Sequence, residues 1–464
     1  MTATPLPDGP LLAWYGDDFT GAAAVMEVMT FAGLPAVLFF DIPTAEQRAA
    51  FAGYRGFGIA GIARSQTPDW MDANLPRIYG ALASFGAPLV QYKVCSTFDS
   101  APTVGSIGRA TELGAAAFGG VWYPLLVAAP AMGRYQAFGN LFAVEHGVVY
   151  RIDRHPTMSR HPVTPMDEAD VRRHLARQTD MPIGLVDVAA LEDGHGAAAL
   201  TAARDAGAAI IALDAMDEIS VAAAGELIWE YRADRQFMIG SQGIQYALVA
   251  YWRAAGLIDP VPPPALADPV DRLPIVSGSC SPVTAGQIAW AAEHGFEPLR
   301  IDPSLAVDEA AWRSEVERAI ASALDAIGRG KSPIVFSAEG PDDPVTPTYR
   351  AAVEQSGQPI EAINQRVGAG LGAVLGQVLR DSGLSRGVIA GGDTSSHGAS
   401  TLGIYALTAM APAATGGALC RAHSDDPDLA EFEIALKGGQ MGAPDYFAQV
   451  RNGGATVETE GVRE

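Results

Sequence analysis

The chain has 464 residues, 48% of them apolar, and a formal net charge of −22 from 31 basic and 53 acidic side chains. That length suits two to three domains, the acidity disfavours duplex DNA or an anionic membrane as a partner, and no apolar run approaches the ~20 residues of a membrane helix. The start MTATPLPDGP carries no signal-peptide pattern. Cys95, Cys280 and Cys420 are too scattered for a disulfide framework or a zinc site. A cytoplasmic protein with reduced thiols is expected, and an anionic small substrate is allowed if basic residues gather locally.

Leu11 to Tyr15 reads as a buried strand that ends in Gly16-Asp17-Asp18-Phe19-Thr20-Gly21. A helical segment follows, with Thr20 as expected N-cap, Val25, Met29 and Ala32 on one face and Gly33 as the stop. Ala36 to Phe40 is the next strand, so a right-handed βαβ unit is predicted. Asp17 and Asp18 would then stand at the carboxyl end of the first strand, where open α/β sheets collect ligands. The plainer alternative is that they only complement the helix dipole.

Strands are predicted again at Tyr54–Ile62 and Leu89–Val94, and this alternation with helices indicates a mostly parallel sheet. Beyond the Leu89 strand, Lys93, Ser96, Thr97 and Asp99 combine a cation, hydroxyls and a carboxylate. That set suits charge-assisted hydrogen bonding to a polyhydroxylated acid, although the last three could equally be turn and cap residues. Gly120–Ala129 reads as a central strand. Tyr150–Pro162 is locally basic, and Arg154 and Arg160 are candidates to bind an anion, against the alternative of a solvated surface loop. A metal on His155 and His161 is disfavoured because no third ligand has suitable spacing. Thr164, Pro165 and Asp167 read as the start of a helix. Strands at Ile183–Val188, Ala209–Leu213 and Gln236–Ile239 complete this half, the last ending in a Gly240-Ser241-Gln242-Gly243 turn that is either an anion site or merely tight.

Leu257–Leu273 holds five prolines and no periodicity, which marks a linker. The expected division is therefore 1–256, a linker over 257–273, a second domain over 274–455 and a tail over 456–464. After the linker the pattern restarts, with a strand at Pro274–Val276, the loop Ser277-Gly278-Ser279-Cys280-Ser281 and a helix opened by Pro282. Further strands are predicted at Leu299–Ile301 and Pro333–Phe336, and at Val388–Ala390, which runs into Gly391-Gly392-Asp393-Thr394. Phe432–Leu436 runs into Lys437-Gly438-Gly439. Small-residue loops after three strands of one domain suggest a single nucleotide cleft lined by backbone N–H groups. Two motifs mislead. Gly330-Lys331-Ser332 lacks the first glycine of a phosphate loop, and Gly368–Ala373 fits a dinucleotide fingerprint with no strand leading into it.

Six stretches in chain order resemble the four-carbon acid sugar kinase family: YGDDFTGA (15–22), KVCSTFDSAPTVGSIGRA (93–110), RHPVTPMDEAD (160–170), VSGSCSPVTAGQI (276–288), GGDTSS (391–396) and LKGGQMGAPDYF (436–447). The resemblance implies an α/β protein of two domains, each a mostly parallel sheet flanked by helices, with the active site in the interdomain cleft. The first domain would hold a sugar acid and the second ATP with Mg²⁺. Asp17 or Asp18 would accept the hydroxyl proton, aided by Lys93, while Ser96, Thr97, Asp99, Arg154 and Arg160 hold the acid. Ser277, Gly278, Ser279, Ser281, Gly391, Gly392, Asp393, Thr394, Gly438 and Gly439 would seat ATP, with Asp393 a candidate metal ligand. Related kinases act on tetronates, their 3-oxo forms or 3-oxo-isoapionate. Cys95 and Asp99 replace the aspartate and arginine of a Lys-x-Asp-Ser-Thr-x-Arg-Gly pattern, and this points toward an oxo-sugar acid. A homo-oligomer is compatible with the sequence. The competing readings are a nicotinamide oxidoreductase and a non-catalytic sugar-acid sensor.

Overall fold

The computed structural model describes residues 3–145, 147–340, 343–414, 417–429 and 431–455, apart from the side chains of Thr20, Asp393, Ser396 and Glu431. The expected tail at 456–464 lies outside the described residues. The chain divides into two compact units, Met1–Pro262 and Pro263–Glu464, at two adjacent prolines in a stretch without helix or strand.

In the first unit, β1 (Leu12–Gly16), β2 (Ala36–Phe39), β3 (Gly56–Ile59), β4 (Leu89–Lys93) and β5 (Tyr123–Leu126) are joined by helices. A meander of β6 (Arg134–Ala137), β7 (Asn140–Glu145) and β8 (Val148–Arg151) follows, then β9 (Ile183–Val186), β10 (Ile210–Leu213) and β11 (Gln236–Gly240). Eight parallel strands run in the order β2-β3-β1-β4-β11-β5-β10-β9. β1, β4 and β11 are buried at every position, as expected for strands covered on both faces.

The second unit contains β12 (Ile275–Ser277), β13 (Phe296–Arg300), β14 (Ser332–Phe336), β15 (Arg386–Ala390), β16 (Ile404–Ala414), β17 (Gly417–Ser424) and β18 (Glu431–Lys437). Its order is β13-β14-β12-β15-β18-β17-β16, the first five parallel and the last three antiparallel to one another in sequence. A core of Ile275, Ile288, Phe296, Ile334, Val388, Leu419 and Phe447 packs around these strands. Both units wind alike. The first strand (β1 or β12) is central, the second lies one strand further out than the third, and the fourth (β4 or β15) returns on the other side. β1 and β12 are thus topological switch points, where loops at the carboxyl ends part and leave a crevice.

Several local expectations need correction. The helix Phe19–Phe31 is capped by Asp18, not Thr20, because the Asp18 Oδ1 accepts the Gly21 N–H at 2.9 Å. No helix starts at Thr164-Pro165. Both the N–H and the hydroxyl of Thr164 turn to the His161 Nδ1 at 3.1 and 3.0 Å, and the helix begins at Val171 with Asp170 as cap. The β6–β8 meander and the β16–β17 hairpin were not anticipated. The turn between β6 and β7 takes positive φ at Phe138 (49°) and Gly139 (80°), and only the glycine announces that in sequence. Gly368–Ala373 lies in the middle of the helix Ile360–Ser382, and a Cβ on Gly372 would stand 2.5 Å from the Gly398 carbonyl oxygen. These glycines permit helix packing and form no dinucleotide turn.

Candidate functional site

At the first switch point, β1 delivers Asp17 and Asp18, β3 delivers Arg64 on the short turn Ala63–Ser65, and β4 delivers the loop from Lys93 to Ser100. The Arg64 Nη2 donates to the Asp17 Oδ1 at 2.7 Å and to the Asp18 Oδ1 at 2.9 Å, and its Nε donates to the Asp17 Oδ2 at 3.3 Å. The backbone fixes the same corner, since the Arg64 N–H donates to the Asp17 carbonyl and the Asp17 N–H to the Lys93 carbonyl, both at 2.9 Å. Arg64 is the residue that the sequence reading missed. Its signal would have been its place as the first cation beyond the third strand.

The two aspartates differ in access. Only 3% of the Asp17 side chain is exposed, against 28% for Asp18. Burial pushes the Asp17 carboxyl above its ordinary range, and the Arg64 guanidinium offsets only part of that. Arg64 itself stays charged. Burial works against it, but Asp17 and Asp18 hold its pKa well above the ordinary value. Lys93 is buried and donates to the Val94 carbonyl at 2.8 Å. Desolvation lowers its pKa, opposed by Asp18 and Asp17. A Cβ on Gly21 would stand 2.2 Å from the Asp18 Oδ1 and 3.3 Å from the Lys93 Nζ, so this glycine lets both groups approach one point.

The Cys95–Ser100 loop is built tightly. The Thr97 hydroxyl donates to the Asp99 Oδ1 at 2.6 Å, and Ser96, Thr97 and Asp99 are all buried. Phe98 holds a left-handed φ of 58°, its ring buried against His174, and the Ser100 Oγ meets the His174 Nε2 at 2.9 Å. Burial raises the Asp99 carboxyl, but Arg64 and the Thr97 hydroxyl outweigh it and bring its pKa below the ordinary value. Arg154 and Arg160 are exposed. The Nδ1 atoms of His155 and His161 serve as turn acceptors for the N–H groups of Thr157, Met158 and Thr164. Ser241 is likewise a turn residue, its hydroxyl donating to the Val127 carbonyl at 2.7 Å and accepting from the Gly243 N–H.

In the second unit, the loops that leave β12, β15 and β18 converge. A Cβ on Gly278 would stand 2.1 Å from the Thr394 Oγ1, and one on Gly439 would stand 2.9 Å from the Ser279 Oγ. Gly391, at φ 116°, lies against Ser279 and Thr394, and its N–H donates to the Lys437 carbonyl at 2.8 Å. Ser281 caps the helix Pro282–Ala292. Lys437 is buried, and its Nζ donates to the Thr284 Oγ1 at 2.9 Å and to the carbonyls of Gly438 and Gly439 at 3.0 and 3.3 Å. Desolvation lowers its pKa to about 8. Tying those carbonyls inward is how a glycine loop is held in one shape with its N–H groups available to an anion. Of the residues expected here, Ser277, Gly278, Ser279, Ser281, Gly391, Thr394, Gly438 and Gly439 belong to these three loops. Gly392 is exposed at the helix start, and the Asp393 side chain lies outside the described residues.

An acidic pair clamped by arginine at one switch point and a convergence of small-residue loops at the other define a two-domain α/β protein equipped for a polar substrate and a phosphate-bearing ligand. Comparison with known proteins agrees with that class. Residues 12–248 match the family model of a sugar-binding N-terminal domain, and residues 275–447 match that of a nucleotide-binding C-terminal domain. The chain is 49% identical to a 3-oxo-isoapionate kinase of Paraburkholderia graminis over 97% of its own length and 96% of the relative's. It is 32% identical to a 3-oxo-tetronate kinase of Methylobacterium radiotolerans, covering 94% and 98% of the two chains. Solved structures with the same fold include a Salmonella typhimurium protein that carries a provisional tRNA synthase label (TM-score 0.76, 23% identity, 95% and 98% covered) and a Haemophilus influenzae protein (TM-score 0.71, 24% identity, 94% and 98% covered). The chain belongs to the four-carbon acid sugar kinase family, whose members are phosphotransferases with a hydroxyl group as acceptor.

Proposed function

We propose that this protein transfers the γ-phosphoryl group of ATP to a hydroxyl of an oxo-sugar acid, with 3-oxo-isoapionate the preferred substrate. The observation that carries the substrate is the 49% identity to a 3-oxo-isoapionate kinase through both domains, against 32% to the oxo-tetronate kinase of Methylobacterium radiotolerans. The first unit holds the acceptor and the second holds ATP. Phosphoryl transfer asks little covalent chemistry of the protein, so positioning and charge neutralisation supply most of the catalysis.

Asp18 is the proton acceptor in this reading, because its carboxylate reaches solvent while that of Asp17 is enclosed. Asp17 holds Arg64, and Arg64 orients Asp18. Lys93 keeps positive charge beside the reacting hydroxyl, and Ser96, Thr97 and Asp99 bind the substrate's hydroxyl and oxo groups. Ser277–Ser281, Gly391–Thr394 and Gly438–Gly439 seat the nucleotide. Mg²⁺ enters with the phosphates of ATP, where it neutralises charge. Oxygens of Asp17 and Asp18 are already engaged by Arg64, and among the described residues no group of three or more His, Cys, Asp or Glu could hold a metal ion. That donor set fits an ion retained chiefly by phosphate and water.

The test is ATP consumption by the purified protein with 3-oxo-isoapionate, the 3-oxo-tetronates, threonate and erythronate. The highest kcat/KM is expected with 3-oxo-isoapionate. ATP consumption with none of them would overturn the assignment.

A further inference from the structure

The charge balance at the first switch point leaves a problem. Two cations, Arg64 and Lys93, face three carboxylates, Asp17, Asp18 and Asp99. With the Arg64 donors already taken by Asp17 and Asp18, such a cluster offers little spare positive charge to the carboxylate of an acid substrate.

A cation with no carboxylate oxygen in ion-pair range among the described residues lies at the same end of the strands. Arg134 opens β6, close after β5, and β5 is separated from β4 only by β11. The neighbouring Met132 touches the Gln242 side chain just beyond the end of β11. The Arg134 Nη1 is pinned to its own hairpin, donating to the carbonyls of Met132, Gly133 and Val144 at 3.0, 3.3 and 3.4 Å. That anchorage leaves the other edge of the guanidinium unused. The Nε is fully buried with no hydrogen-bond partner, and no carboxylate oxygen lies within 4 Å among the described residues. Charged and titratable groups around it are Cys95, Glu145, Tyr135 and His155. Cys95 heads the substrate loop, so Arg134 lies within electrostatic reach of it. Glu145 accepts from the Thr157 hydroxyl through its Oε1 at 2.5 Å, and its Oε2, buried without a hydrogen bond and 3.8 Å from the His155 Nδ1, faces Arg134 from beyond ion-pair distance. An unpaired, largely desolvated guanidinium is costly to keep, and its planar N–H edge matches a carboxylate bidentately.

We infer that Arg134 binds the carboxylate of the sugar-acid substrate, through the guanidinium edge that its own hairpin leaves free. This rests on the kinase reading and names the residue that selects an acid over a neutral sugar. Arg154 and Arg160, both exposed, are the competing cations.

The experiment compares wild type, Arg134→Met, Arg134→Lys, Arg154→Met and Arg160→Met, assayed for ATP consumption with 3-oxo-isoapionate and with its uncharged carboxamide. For Arg134→Met, KM for the acid should rise 30-fold or more, about 2 kcal/mol at tenfold per 1.4 kcal/mol. KM for ATP should stay unchanged, and the preference for acid over amide should disappear. Arg134→Lys should recover part of that preference. A KM for the acid unchanged in Arg134→Met, or a larger loss in Arg154→Met or Arg160→Met, overturns the assignment. If Arg134→Met does not fold, Arg134→Lys decides alone: full wild-type preference for the acid refutes a bidentate role. Wild type inactive on every acid would instead be a failure of the kinase reading, and the two failures are therefore distinct.

Discussion

Replacing Arg64 by methionine tests the electrostatic frame of the acceptor site. Methionine keeps most of the side-chain length but removes the three hydrogen bonds to Asp17 and Asp18. Deleting one partner of a buried ion pair costs about 3–5 kcal/mol, and the 23% exposure of the Arg64 side chain places the loss near ~3 kcal/mol. The cost should depend on pH in a definite direction. The folded-state pKa of Asp17 is raised by burial. Between the ordinary carboxylate range and that folded value, the native state keeps a proton that the unfolded chain has released, so stability falls as pH rises through the window. Without Arg64 the Asp17 pKa climbs further and the window widens upward. Urea unfolding followed by tryptophan fluorescence, at pH 5 and pH 8 with equal m-values, should give a smaller penalty at the lower pH, because the raised pKa favours neutral Asp17 as pH falls and a neutral carboxyl needs no counter-ion, and a penalty that grows toward ~3 kcal/mol at the higher pH. Turnover at pH 8 should fall by about a hundredfold or more, because the acceptor aspartate loses its orientation. An equal stability penalty at both pH values would refute the reasoning.

Other substitutions separate the two loop systems. Asp18→Asn should lower kcat by about 10²–10⁴-fold, the usual share of a general base, and leave KM for ATP unchanged in steady-state kinetics. Gly278→Ala places a Cβ 2.1 Å from the Thr394 Oγ1. Relieving that overlap should cost about 1–3 kcal/mol, read as a higher KM for ATP with KM for the sugar acid unchanged. Lys437→Met removes the ammonium that holds the Gly438 and Gly439 carbonyls, and KM for ATP should rise about tenfold, one hydrogen bond's worth. Because burial lowers the Lys437 pKa from its ordinary 10.5 to about 8, keeping it charged costs stability below pH 8. That cost fades as pH rises toward 10.5. The stability rise it contributes between pH 8 and 10.5 in wild type should be missing in the variant, as measured by urea unfolding.

The linear order of residues already carried the local chemistry. An apolar run broken by Gly16-Asp17-Asp18 reads as a strand end with carboxylates beside it, Ser281-Pro282 begins a helix, and five prolines between Leu257 and Leu273 interrupt regular structure, because each of these depends on contacts within a few residues. The side-chain partner of the aspartates was not legible. Arg64 lies 47 residues from Asp17, and they meet because β3 pairs beside β1. The convergence of Gly278, Gly391 and Gly439 likewise depends on β12, β15 and β18 lying side by side. Thr164 shows the reverse case, a good local cap signal that His161 diverts. The sequence alone determined which strand ends carry polar groups. Only the tertiary structure decided which of those groups are neighbours, because strand order is set by burying both faces of the sheet, a long-range balance that no window of neighbouring residues records.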